Sequence, residues 1–173
     1  SFNDVSTGVY YYNAVKWAVE NGITSGTSAT TFSPNASCTR AQMVTFLWRA
    51  NGSPKATGAN PFTDVQAGSY YYDAVLWAVE KGITSGTSAT TFAPNATVTR
   101  GQTVAFLHRA NGSPAASGNS PFTDGASSAY YAAAVQWAVA EGVTSGTSAT
   151  TFAPAAPCTR AQIVTFLYRD MAE

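Results

Sequence analysis

Charged side chains are scarce in this chain of 173 residues. Lys, Arg, Asp and Glu make up only 10% of it, and nine cations balance nine acids. A chain without net charge has no basic face for nucleic acid or for an anionic membrane surface. No apolar run approaches the roughly 20 residues of a membrane-spanning helix. We therefore expect neither nucleic acid nor a membrane as a partner.

Groups typical of catalysis are equally few. The single histidine, His108, stands where Trp48 and Tyr168 stand in other copies of an internal repeat, and is expected to be a substitute aromatic residue. The acids are spread over near-equivalent units and form no special pair, and no nucleophile motif is present. The sequence therefore predicts a protein that is not an enzyme, with no cofactor and no metal site.

The two cysteines, Cys38 and Cys158, occupy the same slot in two copies of the repeat, and Val98 fills that slot in the other copy. A slot that also takes valine is typical of a buried small residue, so free buried thiols are the expected state. A disulfide is the alternative, and it would require the two Cα atoms to lie within about 7 Å.

The chain repeats itself every 60 residues without insertion, as the spacing of Trp17, Trp77 and Trp137 shows. The repeats are residues 1–60, 61–120 and 121–173, here called modules 1, 2 and 3. One module is too small to bury its own apolar faces, so the modules must pack on one another.

Each module contains two amphipathic helical patterns and no convincing strand pattern. In module 1 the first helix is predicted over Tyr10 to Asn21, where apolar residues recur at helical spacing and Gly22 provides a left-handed cap. The second is predicted over Arg40 to Ala50 and is stopped by the Gly and Pro that follow it. The expected class is all-α with long ordered loops.

The strongest repeated motif begins the second helix. Thr39 and Gln42 have the spacing of a capping box, which places Arg40 in the first turn. On a helical wheel Arg40 lies within the apolar arc and Arg49 on the opposite side. An inward guanidinium beside free helix N–H groups is suited to an anion. A structural ion pair with a carboxylate of the chain is the open alternative.

Two further features are typical of a sugar site. The loop from Thr24 to Phe32 is polar and identical in all three modules, and supplies hydroxyl groups such as that of Ser25. Tyr10 and Trp17 lie along one edge of the first helix, where they either pack or form a half-exposed aromatic shelf. Charge, hydroxyl groups and an aromatic face together indicate an acidic carbohydrate as ligand.

The motifs Phe-x-Asp, a helix ending in Gly-Ile, a Phe-x-Pro turn and Thr-Arg-Ala-Gln, at fixed distances, resemble the S-layer homology domain over the whole chain. The resemblance implies a pseudo-threefold domain with a central helix bundle, whose grooves between modules bind secondary cell-wall polysaccharide carrying pyruvylated N-acetylmannosamine. It also implies that the motif arginine meets the ketal carboxylate. Gln42 stands where the family usually has Glu, and Tyr10 where it has Trp, but a capping box accepts either Glu or Gln.

We therefore expect a monomeric carbohydrate-binding module that is part of a longer secreted protein. It would hold an unknown cargo non-covalently on the bacterial cell wall. A structural or protein-binding array without glycan affinity, with the arginines paired to Asp4, Asp64 and Asp124, is the alternative. The expected ligand-binding residues are Arg40, Arg100, Arg160, Thr39, Thr99, Thr159, Asp4, Asp64, Asp124, Tyr10, Tyr70, Tyr130, Trp17, Trp77, Trp137, Ser25, Ser85 and Ser145.

Overall fold

A computed structural model describes residues 1–172. Its six helices are α1 Tyr12–Glu20, α2 Arg40–Ala50, α3 Tyr72–Glu80, α4 Arg100–Ala110, α5 Ala132–Ala140 and α6 Arg160–Met171. Strand pairing in the described range is limited to isolated bridges between the modules. The fold is therefore mostly helical with long loops, as predicted. None of these helices has the length and apolarity needed to cross a bilayer.

The second helix of each module begins with the predicted capping box. The Thr39 hydroxyl accepts the backbone N–H of Gln42 at 3.1 Å, and the Gln42 side chain accepts the backbone N–H of Thr39 at 2.9 Å. Modules 2 and 3 have the same pair of hydrogen bonds. Two of the four donors that a helix start leaves unpaired are thus satisfied, which fixes the helix start at Arg40. The N–H groups of Arg40 and Ala41 donate to the Ala96 and Pro94 carbonyls at 2.8 and 3.0 Å, so the expectation of free N–H groups for an anion at this helix start is wrong.

The first helix is shorter than the predicted range, because it begins at Tyr12 rather than Tyr10. Tyr10 and Tyr11 precede it in a turn, in which the N–H of Tyr12 donates to the Val9 carbonyl at 3.2 Å. The predicted end is confirmed: Gly22 has φ +69°. The N–H groups of Gly22 and Ile23 donate to the carbonyls of Val19 and Ala18 at 3.1 and 2.8 Å, which is a Schellman turn.

The helices pack between modules rather than within them. Helix α3 packs on α2, α5 packs on α4, and α1 packs on α6, so that the first module closes against the last. Helices α2, α4 and α6 also contact one another at the centre. The first helix of a module therefore covers the second helix of a neighbouring module, and no module completes its own core.

The slot shared by Cys38, Val98 and Cys158 lies where the three modules meet. Their backbones form a closed cycle in which Cys38 N–H donates to Cys158 O at 3.1 Å, Val98 N–H to Cys38 O at 2.9 Å, and Cys158 N–H to Val98 O at 2.9 Å. Both cysteines are free and buried, which confirms the expected state. Burial raises the pKa of Cys38 to about 12 and that of Cys158 to about 11.

An aromatic N–H holds the start of each intermodule linker. Trp48 Nε1 donates to the Pro54 carbonyl at 2.8 Å. His108 occupies the equivalent place in module 2, where its Nε2 lies 2.8 Å from the Pro114 carbonyl and its ring packs against Trp137. A carbonyl only accepts, so Nε2 carries the proton. His108 is therefore a structural substitute for tryptophan, as predicted.

Candidate functional site

The motif arginines lie at the first residue of the central helices and are buried. Arg40, Arg100 and Arg160 are only 3–6% exposed. The Nε of each donates to a phenylalanine carbonyl of another module: Arg40 to Phe92 at 2.9 Å, Arg100 to Phe152 at 2.8 Å and Arg160 to Phe32 at 2.7 Å. Each guanidinium therefore ties the start of one module's helix to the loop of another.

Two phenylalanine rings flank each guanidinium. The Cζ of Arg100 lies 4.6 Å from the ring centroid of Phe152 and 5.3 Å from that of Phe166. Arg40 and Arg160 have the same arrangement with their own phenylalanines. Aromatic faces attract a cation, and a planar guanidinium stacks on them better than a lysine would. The rings hold the charge in one orientation.

The alternative in which these arginines pair with carboxylates is not what residues 1–172 show. Lys16 and Glu20 make the salt bridge found in that range, at 4.0 Å, and no motif arginine makes one. Asp4 instead accepts the backbone N–H groups of Phe32 and Ser33, at 2.9 and 2.8 Å. These hydrogen bonds, chiefly that from Phe32, hold the pKa of Asp4 below its usual value. Asp64 and Asp124 hold the equivalent turns.

The terminal nitrogens of the guanidinium, unlike Nε, are available to a ligand. In the described residues no buried side-chain nitrogen or oxygen is without a hydrogen-bond partner. Arg40 and Arg100 make their side-chain hydrogen bonds through Nε, so their Nη groups must be the part that reaches solvent. In Arg160 one Nη also lies 3.4 Å from the Thr24 hydroxyl. The paired donors of a guanidinium are the groups that grip a carboxylate.

Arg100 opens into a groove of about 380 Å³ to which all three modules contribute. Module 1 supplies Tyr10, module 2 supplies Arg100, and module 3 supplies the loop 144–147 and one side of α6. The wall from α6 consists of Gln162, Thr165, Phe166 and Arg169. The structure thus brings together the predicted tyrosine, arginine and loop serine, Ser145, in one place.

The tyrosine that lines this groove belongs to a pair of contacting rings. Tyr10 is 64% exposed, and its ring contacts that of Tyr11 edge to face, at 5.0 Å between centroids. The pairs Tyr70–Tyr71 and Tyr130–Tyr131 have the same geometry. Because each exposed ring is braced by a partly buried one, it offers a fixed face to a ligand.

The 60-residue spacing assigns equivalent residues to two further grooves. Tyr70 corresponds to Tyr10 and lies close to Thr39 and Arg49, both of which lower its pKa, although burial raises that pKa overall. Tyr130 and Arg109 both lie near enough to Arg40 to affect its pKa, which burial lowers. The matching loop serines are Ser25 for the Arg160 groove and Ser85 for the Arg40 groove.

The predicted tryptophans are part of the packing. Trp77 and Trp137 are each 4% exposed. Trp17 is partly buried and packs its ring edge to face on Tyr168 of α6, at 5.8 Å between centroids. Because their faces are covered by neighbouring helices, the assignment of these tryptophans to ligand contact is corrected to a role in helix packing.

The predicted threonines and aspartates also have structural partners. The hydroxyls of Thr39, Thr99 and Thr159 accept helix N–H groups as caps. Both carboxylate oxygens of each aspartate accept backbone N–H groups of the Phe-x-Pro turn. These residues shape the loop whose carbonyl holds the arginine, so their contribution to a site is indirect.

A second arginine in the groove was not predicted. Arg169 lines it together with Arg100, and its Nη1 donates to the Val143 carbonyl at 3.3 Å. Arg49 and Arg109 make the same hydrogen bond to Ile23 and Ile83. A helical wheel correctly places the two arginines of one helix on opposite faces. The groove, however, combines Arg100 from one face of α4 with Arg169 from the opposite face of α6. The signal available in the sequence was their own 60-residue repetition.

A family model described as the S-layer homology domain matches residues 1–44, 61–104 and 121–164. The chain belongs to the S-layer homology domain family. These domains anchor surface proteins to the cell wall, which places the chain outside the cell at the bacterial surface.

Curated relatives carry the same domain in much longer proteins. The chain is 36% identical to a surface-layer 125 kDa protein of Lysinibacillus sphaericus over 92% of its own length, and covers 14% of that protein. It is 38% identical to an endoglucanase of Bacillus sp. (strain KSM-635) over 63% of its length, and covers 11% of it. The S-layer homology domain is a non-catalytic anchor, so the match to an endoglucanase does not indicate catalysis here.

Proposed function

We propose that this S-layer homology domain holds a secreted cargo protein on an acidic secondary cell-wall polysaccharide. The ligand is a sugar that carries a carboxylate, with pyruvylated N-acetylmannosamine as the expected unit. The observation that carries the proposal is the Arg100 groove, in which guanidinium Nη groups, an exposed tyrosine face and loop hydroxyls converge.

Each of these groups has a separate task in recognition. The Nε hydrogen bond and the two flanking rings fix the plane of the guanidinium, so its Nη groups are already oriented for a carboxylate. Arg169 adds a second positive charge to the same groove. Tyr10 offers a face for the sugar ring, and the Ser145 hydroxyl can exchange hydrogen bonds with ligand hydroxyls. The Thr147 hydroxyl donates to the Thr151 carbonyl, so its oxygen can accept from the ligand.

We further propose that the three modules form a pseudo-threefold arrangement, with three such grooves on one monomer. The cyclic packing of α1 on α6, α3 on α2 and α5 on α4 supports it. Several weak sites on one rigid body would give the avidity that non-covalent anchoring requires.

The test is a pull-down of the purified chain on bacterial cell walls before and after chemical removal of the acidic polysaccharide. Binding should be lost with the polysaccharide. Arg100→Lys keeps the charge but cannot reproduce the two parallel hydrogen bonds of a guanidinium, so its groove should bind about tenfold more weakly. Retention on walls without the polysaccharide would favour the alternative, a structural or protein-binding array.

A further inference from the structure

Module 3 contains a cavity of about 440 Å³ that is separate from the Arg100 groove. We call it the module 3 pocket. It is bounded by the opening segment around residues 119–127, by the start of α5, and by Phe152 and Pro154. Its volume falls within the roughly 300–1,000 Å³ of small-molecule sites.

The pocket is larger than the cavity of about 310 Å³ at the equivalent place in module 1, because three side chains of module 1 are replaced by smaller ones in module 3. All three positions line it. The replacements are Gly125 for Val5, Ala132 for Tyr12 and Ala133 for Asn13. A Cβ on Gly125 would lie 3.4 Å from Cε2 of Tyr131, which is ordinary contact, so a larger residue is sterically tolerated at this position.

Tyr131 forms an aromatic wall of the pocket. A Cβ at Gly101 would lie only 3.1 Å from Cδ1 of this ring. The other modules have alanine at that position, so the glycine lets Tyr131 lie closer to α4 than alanine would comfortably allow. Phe122 and Phe152, 5.7 Å apart between centroids, add further apolar surface. Such walls suit the apolar face of a sugar ring.

The pocket also contains an acceptor that has lost its donor. Just before module 2, Asn60 Nδ2 donates to the Val65 carbonyl at 2.8 Å, and Asn60 Oδ1 accepts the Phe62 N–H. Ser120 takes the place of Asn60 just before module 3, and its hydroxyl accepts only the equivalent N–H, from Phe122 at 3.2 Å. The Gly125 carbonyl is therefore without the amide donor that its counterpart has. A ligand hydroxyl could replace that donor.

The charge of the lining selects against acidic ligands. Asp124 is the ionisable carboxylate of the pocket, and no Lys or Arg lines it. Backbone hydrogen bonds, chiefly from Phe152, lower the pKa of Asp124, so it stays anionic. Both its oxygens already accept hydrogen bonds from N–H groups, at 3.0 and 2.8 Å, so Asp124 should attract a cationic ligand only weakly. The remaining polar groups, such as Asn119 and Gln136, are neutral hydrogen-bonding groups.

We propose that the module 3 pocket is a second carbohydrate site, which takes an uncharged sugar residue. It differs in chemistry from the arginine grooves, and it shares with the Arg100 groove only Phe152, whose carbonyl Arg100 holds. The ring stacks on the aromatic wall, and its hydroxyls bond to the Gly125 carbonyl and to the neutral side chains of the lining.

The test uses three probes that share one ring and differ in charge: methyl glucoside, glucosamine and glucuronate. Their binding to the full chain at pH 6 is followed by saturation-transfer NMR. The comparison is a filled variant, Gly125→Val with Ala132→Tyr and Ala133→Asn, which gives module 3 the residues of module 1. Methyl glucoside should bind wild type at least tenfold more tightly than it binds the filled variant, and glucuronate should not compete for the pocket.

The controls separate this proposal from the previous one. Arg160→Lys should weaken binding to cell walls and leave methyl glucoside binding unchanged, because Arg160 contacts Phe32 and Phe46, neither of which lines the pocket. If the filled variant fails to fold, Ala132→Tyr alone provides the comparison. Equal binding of methyl glucoside to wild type and the filled variant, no binding to either, or tighter pocket binding of glucosamine or glucuronate would overturn the assignment.

Discussion

Asp4 and Arg160 hold the same peptide residue, Phe32, from its two ends without touching each other. The Asp4 carboxylate accepts the Phe32 N–H at 2.9 Å, and Arg160 Nε donates to the Phe32 carbonyl at 2.7 Å. The aspartate belongs to module 1 and the arginine to module 3. The placement of the buried cation therefore depends on a turn that a carboxylate of another module stabilises.

The hydrogen bonds that Asp4 and Asp124 accept make the free energy of unfolding depend on pH in a defined direction. The pKa values of Asp4 and Asp124 are lowered in the folded state, chiefly by the phenylalanine N–H groups. Their contribution is complete above the unfolded value of 3.8 and is lost as pH falls through the lower folded values. We predict urea midpoints that are unaffected by these two groups from pH 7 to 5 and fall below about pH 4.

Asp4→Asn should remove the Asp4 share of that pH dependence. An amide has only one acceptor oxygen for the two backbone donors. The free energy of unfolding of the variant should therefore also be about 1 kcal/mol lower at pH 7. Urea titrations of wild type and variant at pH 7 and pH 3 measure both effects. An equal loss at the two pH values would contradict the assigned role of the carboxylate.

Gly26 tests how closely the opening segment packs on the repeated loop. A Cβ there would lie 2.5 Å from Cε1 of Phe2 and 2.6 Å from the Thr31 carbonyl, and φ is +91°. Gly22 is the matched control, since its φ is +69° and no atom lies within 4 Å of a Cβ. Gly22→Ala should lower the free energy of unfolding by about 1 kcal/mol through backbone strain alone. Gly26→Ala should lower it by about 2 kcal/mol more, or by a larger amount. Thermal unfolding of both variants compares them, and equal losses would show that the loop moves freely away from Phe2.

The local parts of this fold could be predicted from sequence, because each depends on residues a few positions apart. The Thr39–Gln42 box and the Gly22 cap are examples. The start of α1 could not, because Tyr10 and Tyr11 lie in a turn although their spacing extends the helical pattern. The groove could be only half predicted. A wheel places Arg100 on one face of α4, but it does not show that the opposite face of α6, with Arg169, forms the other wall.

The buried thiols should be unreactive while the chain is folded. Cys38 and Cys158 are at most 1% exposed, and their raised pKa values of about 12 and 11 leave little thiolate at pH 8. We predict negligible reaction with a thiol reagent such as DTNB in buffer and full reaction in 6 M guanidinium. The rate in guanidinium should be ~10²-fold or more higher than in buffer. Absence of reactive thiols in denaturant without reductant would instead indicate a disulfide.

A single module should not fold. Helix α1 packs on α6 and α2 packs on α3, so the fragment 1–60 contains two helices whose main partners are both absent. We predict no cooperative thermal transition for this fragment as a monomer, and a single transition for the full chain. Circular dichroism with a check of mass in solution measures both. A sharp monomeric transition for 1–60 would show that α1 and α2 pack on each other when alone.

The grooves should bind unequally, and the one containing Arg40 should be the weakest. Thr165 lines the Arg100 groove, and its hydroxyl donates to the Ala161 carbonyl at 2.7 Å, which leaves its oxygen able to accept from a ligand. Thr45 is its counterpart in the Arg160 groove, but Ala105 stands at this position for Arg40. One missing hydrogen bond of about 0.5–1.5 kcal/mol corresponds to a two- to tenfold weaker site. Calorimetry with a pyruvylated sugar should therefore resolve unequal sites, and Ala105→Thr should bring the Arg40 groove level with the others. Equal affinities in wild type, each lost through its own Arg→Lys variant, would show that this hydroxyl lies outside the ligand's reach.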